Sequence, residues 1–183
     1  MRDGETLVVL RRDPTRRQMI ASIAIAFGGL AASSTARGAG PRQAMKEITG
    51  DPANKALTSL HQEASLKASP QRIYEALLDA KRFAAFSGLP AEIDPKEGGA
   101  FSMFGGLIVG RNVELIPYQR IVQAWRPTHW APGVYSIVRF ELKPQDSGTV
   151  VVLDHTGFPE GEYDNLTWGW KAHYWDRLQK YLT

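Results

Sequence analysis

Asp164-Asn165-Leu166-Thr167-Trp168-Gly169-Trp170-Lys171-Ala172-His173-Tyr174-Trp175-Asp176-Arg177-Leu178-Gln179-Lys180-Tyr181-Leu182 closes the chain, and its reading decides the fold. Trp170, Tyr174, Leu178 and Leu182 recur every fourth residue, with Tyr181 beside them. That spacing predicts one long amphipathic helix. An apolar stripe this long needs a broad surface to cover it. Gly169 within the helix costs about 1 kcal/mol relative to Ala. A close approach to that surface, or to a ligand, is the expected compensation.

The preceding sequence supplies the surface. Hydrophobic alternation predicts strands over 91–94, 100–104, 107–116, 120–126, 135–143 and 149–156. Pro95-Lys96-Glu97-Gly98-Gly99, Pro117-Tyr118-Gln119 and Pro144-Gln145-Asp146-Ser147-Gly148 are short turns between them; 127–133 is a longer loop. Short connections between successive strands imply an antiparallel meander. Upstream, 57–68 alternates as another strand, with Leu60, Gln62, Ala64, Leu66 and Ala68 on one side. Ser69-Pro70 reads as an N-cap and first helical residue, and Ile73, Ala76 and Leu77 as a helical face. Asp79 caps a second short helix whose Phe83 and Phe86 face inward. The order is strand, two short helices, six strands, long helix: an α+β domain over 57–183.

The N-terminus has a different character. Thr15-Arg16-Arg17-Gln18-Met19-Ile20 precedes an Ala- and Gly-rich apolar run ending at Ala32, followed by Ser33-Ser34-Thr35-Ala36. This is a charged region, an apolar core and a small-residue cleavage site. The apolar run, 14 residues from Met19 to Ala32, is shorter than the roughly 20 that span a bilayer. The paired Arg16 and Arg17 resemble a twin-arginine export signal. Residues 1–36 are expected to be that signal, cleaved after Ala36 or alternatively after Gly38, and 37–55 a linker. The twin-arginine machinery is then the expected export partner. The mature protein is expected in the periplasm or secreted, without a membrane span.

Of 183 residues, 22 are Lys or Arg and 19 Asp or Glu, for a net charge of +3. Residues 1–36 hold five of the Arg and three of the acids, so the remainder carries only +1. No basic stripe suited to nucleic acid runs through it. The absence of Cys removes thiolate catalysis, disulfides and Cys-based metal sites. His61, His129, His155 and His173 show no metal-ligand spacing. Glu160, Glu162 and Asp164 suit the start of a helix by complementing its dipole. No cofactor fingerprint or nucleophile motif is present.

The strand-to-helix junction Ala68-Ser69-Pro70, with Ile73-Tyr74-Glu75-Ala76-Leu77 and Asp79, resembles the START-like superfamily. Phe101-Ser102-Met103-Phe104-Gly105-Gly106, Trp125-Arg126, Trp130, Gly157-Phe158-Pro159, Gly169-Trp170 and Tyr174-Trp175 carry the likeness further. Together they resemble the C-terminal domain of the activator of the 90-kDa heat-shock protein ATPase. The resemblance implies a helix-grip fold, in which a curved sheet wraps the long helix. It also implies a cavity between the two, where superfamily members hold lipids, sterols, hormones and polyketides. Phe101, Met103, Trp125, Trp130, Phe140, His155, Trp170 and His173 are the residues expected to line it. An apolar or amphipathic small molecule is the expected ligand. Two alternatives stay open. One is a co-chaperone-like interaction module anchored by exposed Trp130 and Phe158. The other is a cavity enzyme built on Glu114, Arg139 and His155.

Overall fold

The computed structural model describes residues 8–10, 52–54 and 56–183. Arg16, Arg17 and Ala36 lie outside the described residues. The strands are β1 (Val8–Leu10), β2 (Ser59–Leu66), β3 (Glu92–Ile93), β4 (Ala100–Met103), β5 (Ile108–Ile116), β6 (Arg120–Pro127), β7 (Ser136–Gln145) and β8 (Gly148–Thr156). All neighbouring pairs are antiparallel, in the spatial order β1-β2-β8-β7-β6-β5-β4-β3. The meander from β3 to β8 follows the chain. β2 joins its far edge along the full length of β8, from Ser59↔Thr156 to Leu66↔Thr149. β1 extends that edge by the register Val8↔Ala64 to Leu10↔Gln62, from within the expected leader.

Local chemistry accounts for the helices. α1 (Pro70–Leu78) begins where Ser69 Oγ accepts the Arg72 amide, with Pro at the first helical position. α2 (Ala80–Ser87) begins on Asp79, whose carboxylate accepts the Arg82 amide, and ends at left-handed Gly88. Ile73, Ala76 and Leu77 from α1 and Phe83 and Phe86 from α2 are buried, as their spacing predicts. The inward face of β2 consists of Leu60, Gln62, Ala64 and Leu66, all buried. Thr149, Val151, Leu153 and His155 form the inward face of β8.

β5 bends at a bulge between Asn112 and Glu114, which leaves Val113 without a place in the ladder. Nearby, a Cβ on Gly110 would lie 2.1 Å from the Ala124 carbonyl oxygen and 2.3 Å from the Phe101 ring. Only Gly leaves room there for both the β6 backbone and the Phe101 ring.

The C-terminal helix runs from Tyr163 to Leu182, but not as one α-helix. α3 (Tyr163–Gly169) passes into a π-helical segment (Trp170–Trp175), then into α4 (Asp176–Leu182). Trp170, Tyr174, Leu178 and Leu182 are all buried, so the stripe is real. The π segment adds Trp175, the largest fully buried side chain. In a π-helix the i→i+5 repeat stacks residues five apart, so Trp170 and Trp175 both face the sheet. Their rings lie 6.1 Å apart and nearly parallel. Gly169 does not serve a close approach: a Cβ there would meet nothing within 4 Å. It sits instead at the junction where the winding changes. The whole is an α+β helix-grip fold, with the curved sheet closed over one long helix. Among the described residues no helix is long and apolar enough to cross a membrane.

Candidate functional site

Five of the eight predicted lining residues meet in one aromatic cluster between β6, β7, β8 and the π segment. Trp125 on β6 stacks on Trp170, with centroids 5.6 Å apart. It meets His155 edge-on at 5.1 Å and Trp130 at 6.3 Å. Phe140 on β7 packs edge-on against Trp170 at 5.6 Å. All five side chains are at most 5% exposed. Phe101 and Met103 on β4 are buried in the same core, without a ring contact to this cluster. His173 is separate again. It is half-buried and packs against Phe104 and exposed Trp168 at the rim.

A hydrogen-bond chain runs through the cluster. Trp170 Nε1 donates to His155 Nδ1 at 3.1 Å. An indole nitrogen can only donate, so Nδ1 must carry the lone pair and the neutral ring must hold its proton on Nε2. Nε2 then donates to Ser136 Oγ at 2.7 Å, and Ser136 Oγ donates to the Trp125 carbonyl at 3.0 Å. Every donor in the chain has an acceptor. Burial lowers the His155 pKa to about 3, because the imidazolium would lose its hydration among aromatic rings. The ring is therefore neutral and its lone pair is engaged. Its geometry is that of a clip between helix and sheet rather than a proton acceptor open to substrate.

A second clip lies one π-turn on. Trp175 Nε1 donates to Gln62 Oε1 at 2.6 Å, and Gln62 Nε2 donates to the Thr167 carbonyl at 3.2 Å. Gln62, Ser136 and Trp175 were not among the expected site residues. The readable signal was the five-residue spacing of Trp170 and Trp175, together with a Gln on an otherwise apolar strand face.

Glu114 and Arg139 do not join His155. They lie on the outer face of the sheet in a run of ion pairs: His61–Asp154 (2.7 Å), Asp154–Arg139 (2.6 Å), Arg139–Glu141 (3.8 Å), Glu141–Arg120 (3.6 Å) and Arg120–Glu114 (3.3 Å). The run crosses β2, β8, β7, β6 and β5. Strand alternation puts these side chains and His155 on opposite faces. Partial burial alone would raise the Asp154 pKa, but hydrogen bonds from Arg139 and His61 hold it below its ordinary value.

Trp130 and Phe158 are not exposed anchors. Trp130 folds onto Trp125, and Phe158 packs 5.1 Å from the His155 ring, leaving them 5% and 1% exposed. The exposed large apolar residues include Leu107 and Trp168, each more than half exposed, and Leu89. A bond from the Gly105 amide to the Pro90 carbonyl ties the loops carrying Leu89 and Leu107 together. Of the acidic residues around the start of α3, Asp164 accepts from distant Asn54, and Glu162 accepts from Asn165. Among the described residues no group of His, Asp and Glu could hold a metal ion.

Residues 67–183 match the family model described as "Activator of Hsp90 ATPase homolog 1-like protein". The chain is 32% identical over 122 residues to an activator of 90 kDa heat shock protein ATPase homolog from Dictyostelium discoideum. That alignment covers 66% of this chain and 32% of the relative. It is 25% identical to the human activator homolog 1 over 61% of this chain and 33% of that protein. The chain thus spans about a third of the length of these curated relatives. Among solved structures, an HSP90 activator from Plasmodium falciparum, PFC0360w, superposes with a TM-score of 0.65 at 26% identity, covering 68% of this chain and 95% of that one. CalU16 from Micromonospora echinospora shares the fold at a TM-score of 0.59 and 22% identity, over 68% of this chain and 76% of its own.

Proposed function

Because the chain belongs to the family of Activator of Hsp90 ATPase homolog 1-like proteins, we propose that it uses the helix-grip fold to hold an apolar or amphipathic small molecule between the sheet and the C-terminal helix. The observation that carries this reading is the π segment, Trp170–Trp175, set against the aromatic cluster. A π-helix is rare, occurs mostly as a single-turn bulge inside an α-helix, and is frequently found at functional sites. Here it packs against Trp125 and Phe140, two of the residues expected from the sequence to line a ligand site. Their side chains touch one another, so a ligand enters by parting the helix from the sheet at the two indole clips. Phe101 and Met103 extend the apolar wall, and His173 stands at the rim.

We also propose that the protein acts outside the cytosol, exported by the twin-arginine machinery on Arg16 and Arg17 and cleaved after Ala36. Thermal-shift and native mass spectrometry with lipids, aromatics and polyketide-like compounds test the ligand reading. A stabilising, stoichiometric binder supports it, and a library without one ends it.

A second reading, a protein-interaction module, draws on Trp168 and Leu107, both more than half exposed. Exposed Trp is a common anchor of protein interfaces. A stoichiometric protein partner that is lost with Trp168→Ala and retained with Trp170→Phe selects this reading over the first.

A further inference from the structure

The four buried indoles divide by their hydrogen bonding, and the division gives the ligand a chemistry; the step rests on the ligand reading above. Trp170 and Trp175 donate to His155 and Gln62. Trp125 and Trp130 do not donate in the same way. Both are more than nine-tenths buried, and among the described residues neither Nε1 has an aligned acceptor. The Tyr174 hydroxyl lies beside Trp125 Nε1 without forming a well-directed bond. A buried donor left unpaired is destabilising, and an acceptor brought to it relieves that cost. Two such donors sit within the aromatic cluster, on rings 6.3 Å apart.

The charge around them is equally selective. His155, Ser136 and the rings of Trp130 and Trp170 surround Trp125, and none carries a charge at neutral pH. Arg126 belongs to the opposite face of β6 from Trp125. Its Nη1 donates to the Trp130 carbonyl, its guanidinium lies over the Tyr135 ring at 5.7 Å, and its Nε is buried without an acceptor among the described residues. A carboxylate or phosphate placed against the indoles would be buried without an inward counter-charge, which is strongly unfavourable.

We infer that Trp125 and Trp130 form the recognition end of the site, and that the ligand is an uncharged apolar molecule carrying a carbonyl- or ether-type acceptor oxygen. Three shape-matched probes separate the possibilities: 9-fluorenone, which has an acceptor; fluorene, which has none; and fluorene-9-carboxylate, which is anionic. Calorimetry on the wild-type protein is expected to rank 9-fluorenone about tenfold tighter than fluorene, the carboxylate being weakest. In ¹H–¹⁵N spectra the two indole N–H signals absent from Trp125→Phe and Trp130→Phe are expected to move on adding 9-fluorenone. Those variants keep an aromatic ring but lose the donor and part of the buried ring volume; the volume loss affects ketone and hydrocarbon alike, so their preference for the ketone over fluorene should collapse. Should either variant fail to fold, the wild-type ranking alone decides. Equal affinity for 9-fluorenone and fluorene, a preference for the carboxylate, or no binding of the three overturns the inference. The ligand reading itself falls only if the wider library also yields no binder.

Discussion

His155 carries the largest resolved pH linkage of a clip residue. Its pKa falls from 6.5 in the unfolded chain to about 3 in the fold because burial penalises the cation. The unfolded state therefore binds the proton first. The contribution to stability is fully present above pH 6.5 and is lost progressively as pH falls toward 3, by at most about 5 kcal/mol. Urea unfolding at pH 7, 5 and 4 should show this decline. In His155→Gln the slope across that window should flatten, because the titrating group is gone. An unchanged slope would assign the acid sensitivity elsewhere. Asp154 is also held below its ordinary value. Its depressed carboxyl stabilises the fold above its unfolded value near 3.8 and ceases to do so as pH drops below that. His155 was legible in the sequence as an inward residue of a period-two strand. Its hydrogen-bond partners were not, because Ser136 and Trp170 come from elements distant in the chain.

At the scale of the element, the C-terminal helix is fixed by two clips whose spacing depends on π winding. Trp175→Phe removes the donor to Gln62 and leaves a buried amide oxygen unpaired, for an expected loss of about 1–3 kcal/mol. Gln62→Leu in the same background should recover part of that loss, and a double-mutant cycle in urea measures the coupling. Across the outer face, the ion-pair run from His61 to Glu114 is partly solvated, so each pair is worth about 0.2–1 kcal/mol. Asp154→Asn should lower stability modestly at low salt, with a smaller difference at 1 M NaCl. The four-residue recurrence of Trp170, Tyr174, Leu178 and Leu182 revealed a helix and its buried stripe. It did not reveal the π segment, since a period of four is compatible with both windings over so short a stretch.

At the scale of the whole molecule, the leader and the domain are separate questions. If Arg16 and Arg17 form an export signal, replacing both with Lys should retain full-length protein in the cytoplasm, and mass spectrometry of the wild-type periplasmic fraction should find a chain starting at Arg37. A mature chain still containing Val8–Leu10 would instead keep β1 on the sheet edge. Within the domain, the sequence by itself determined the element order, the caps at Ser69 and Asp79, the inward faces of β2 and β8, and the stripe of the final helix. Each of these is set by local chemistry or by a period of two to four residues, which the chain carries along its own length. Only the tertiary structure decided that Trp130 and Phe158 are buried and that Glu114 and Arg139 stand on the face opposite His155. It also decided that Trp125 and Trp130 keep their N–H groups without aligned acceptors while Trp170 and Trp175 do not. Those outcomes depend on which strand or loop arrives opposite a given side chain, and hydrogen-bond partners chosen across the sheet–helix layer leave no periodic trace in the sequence.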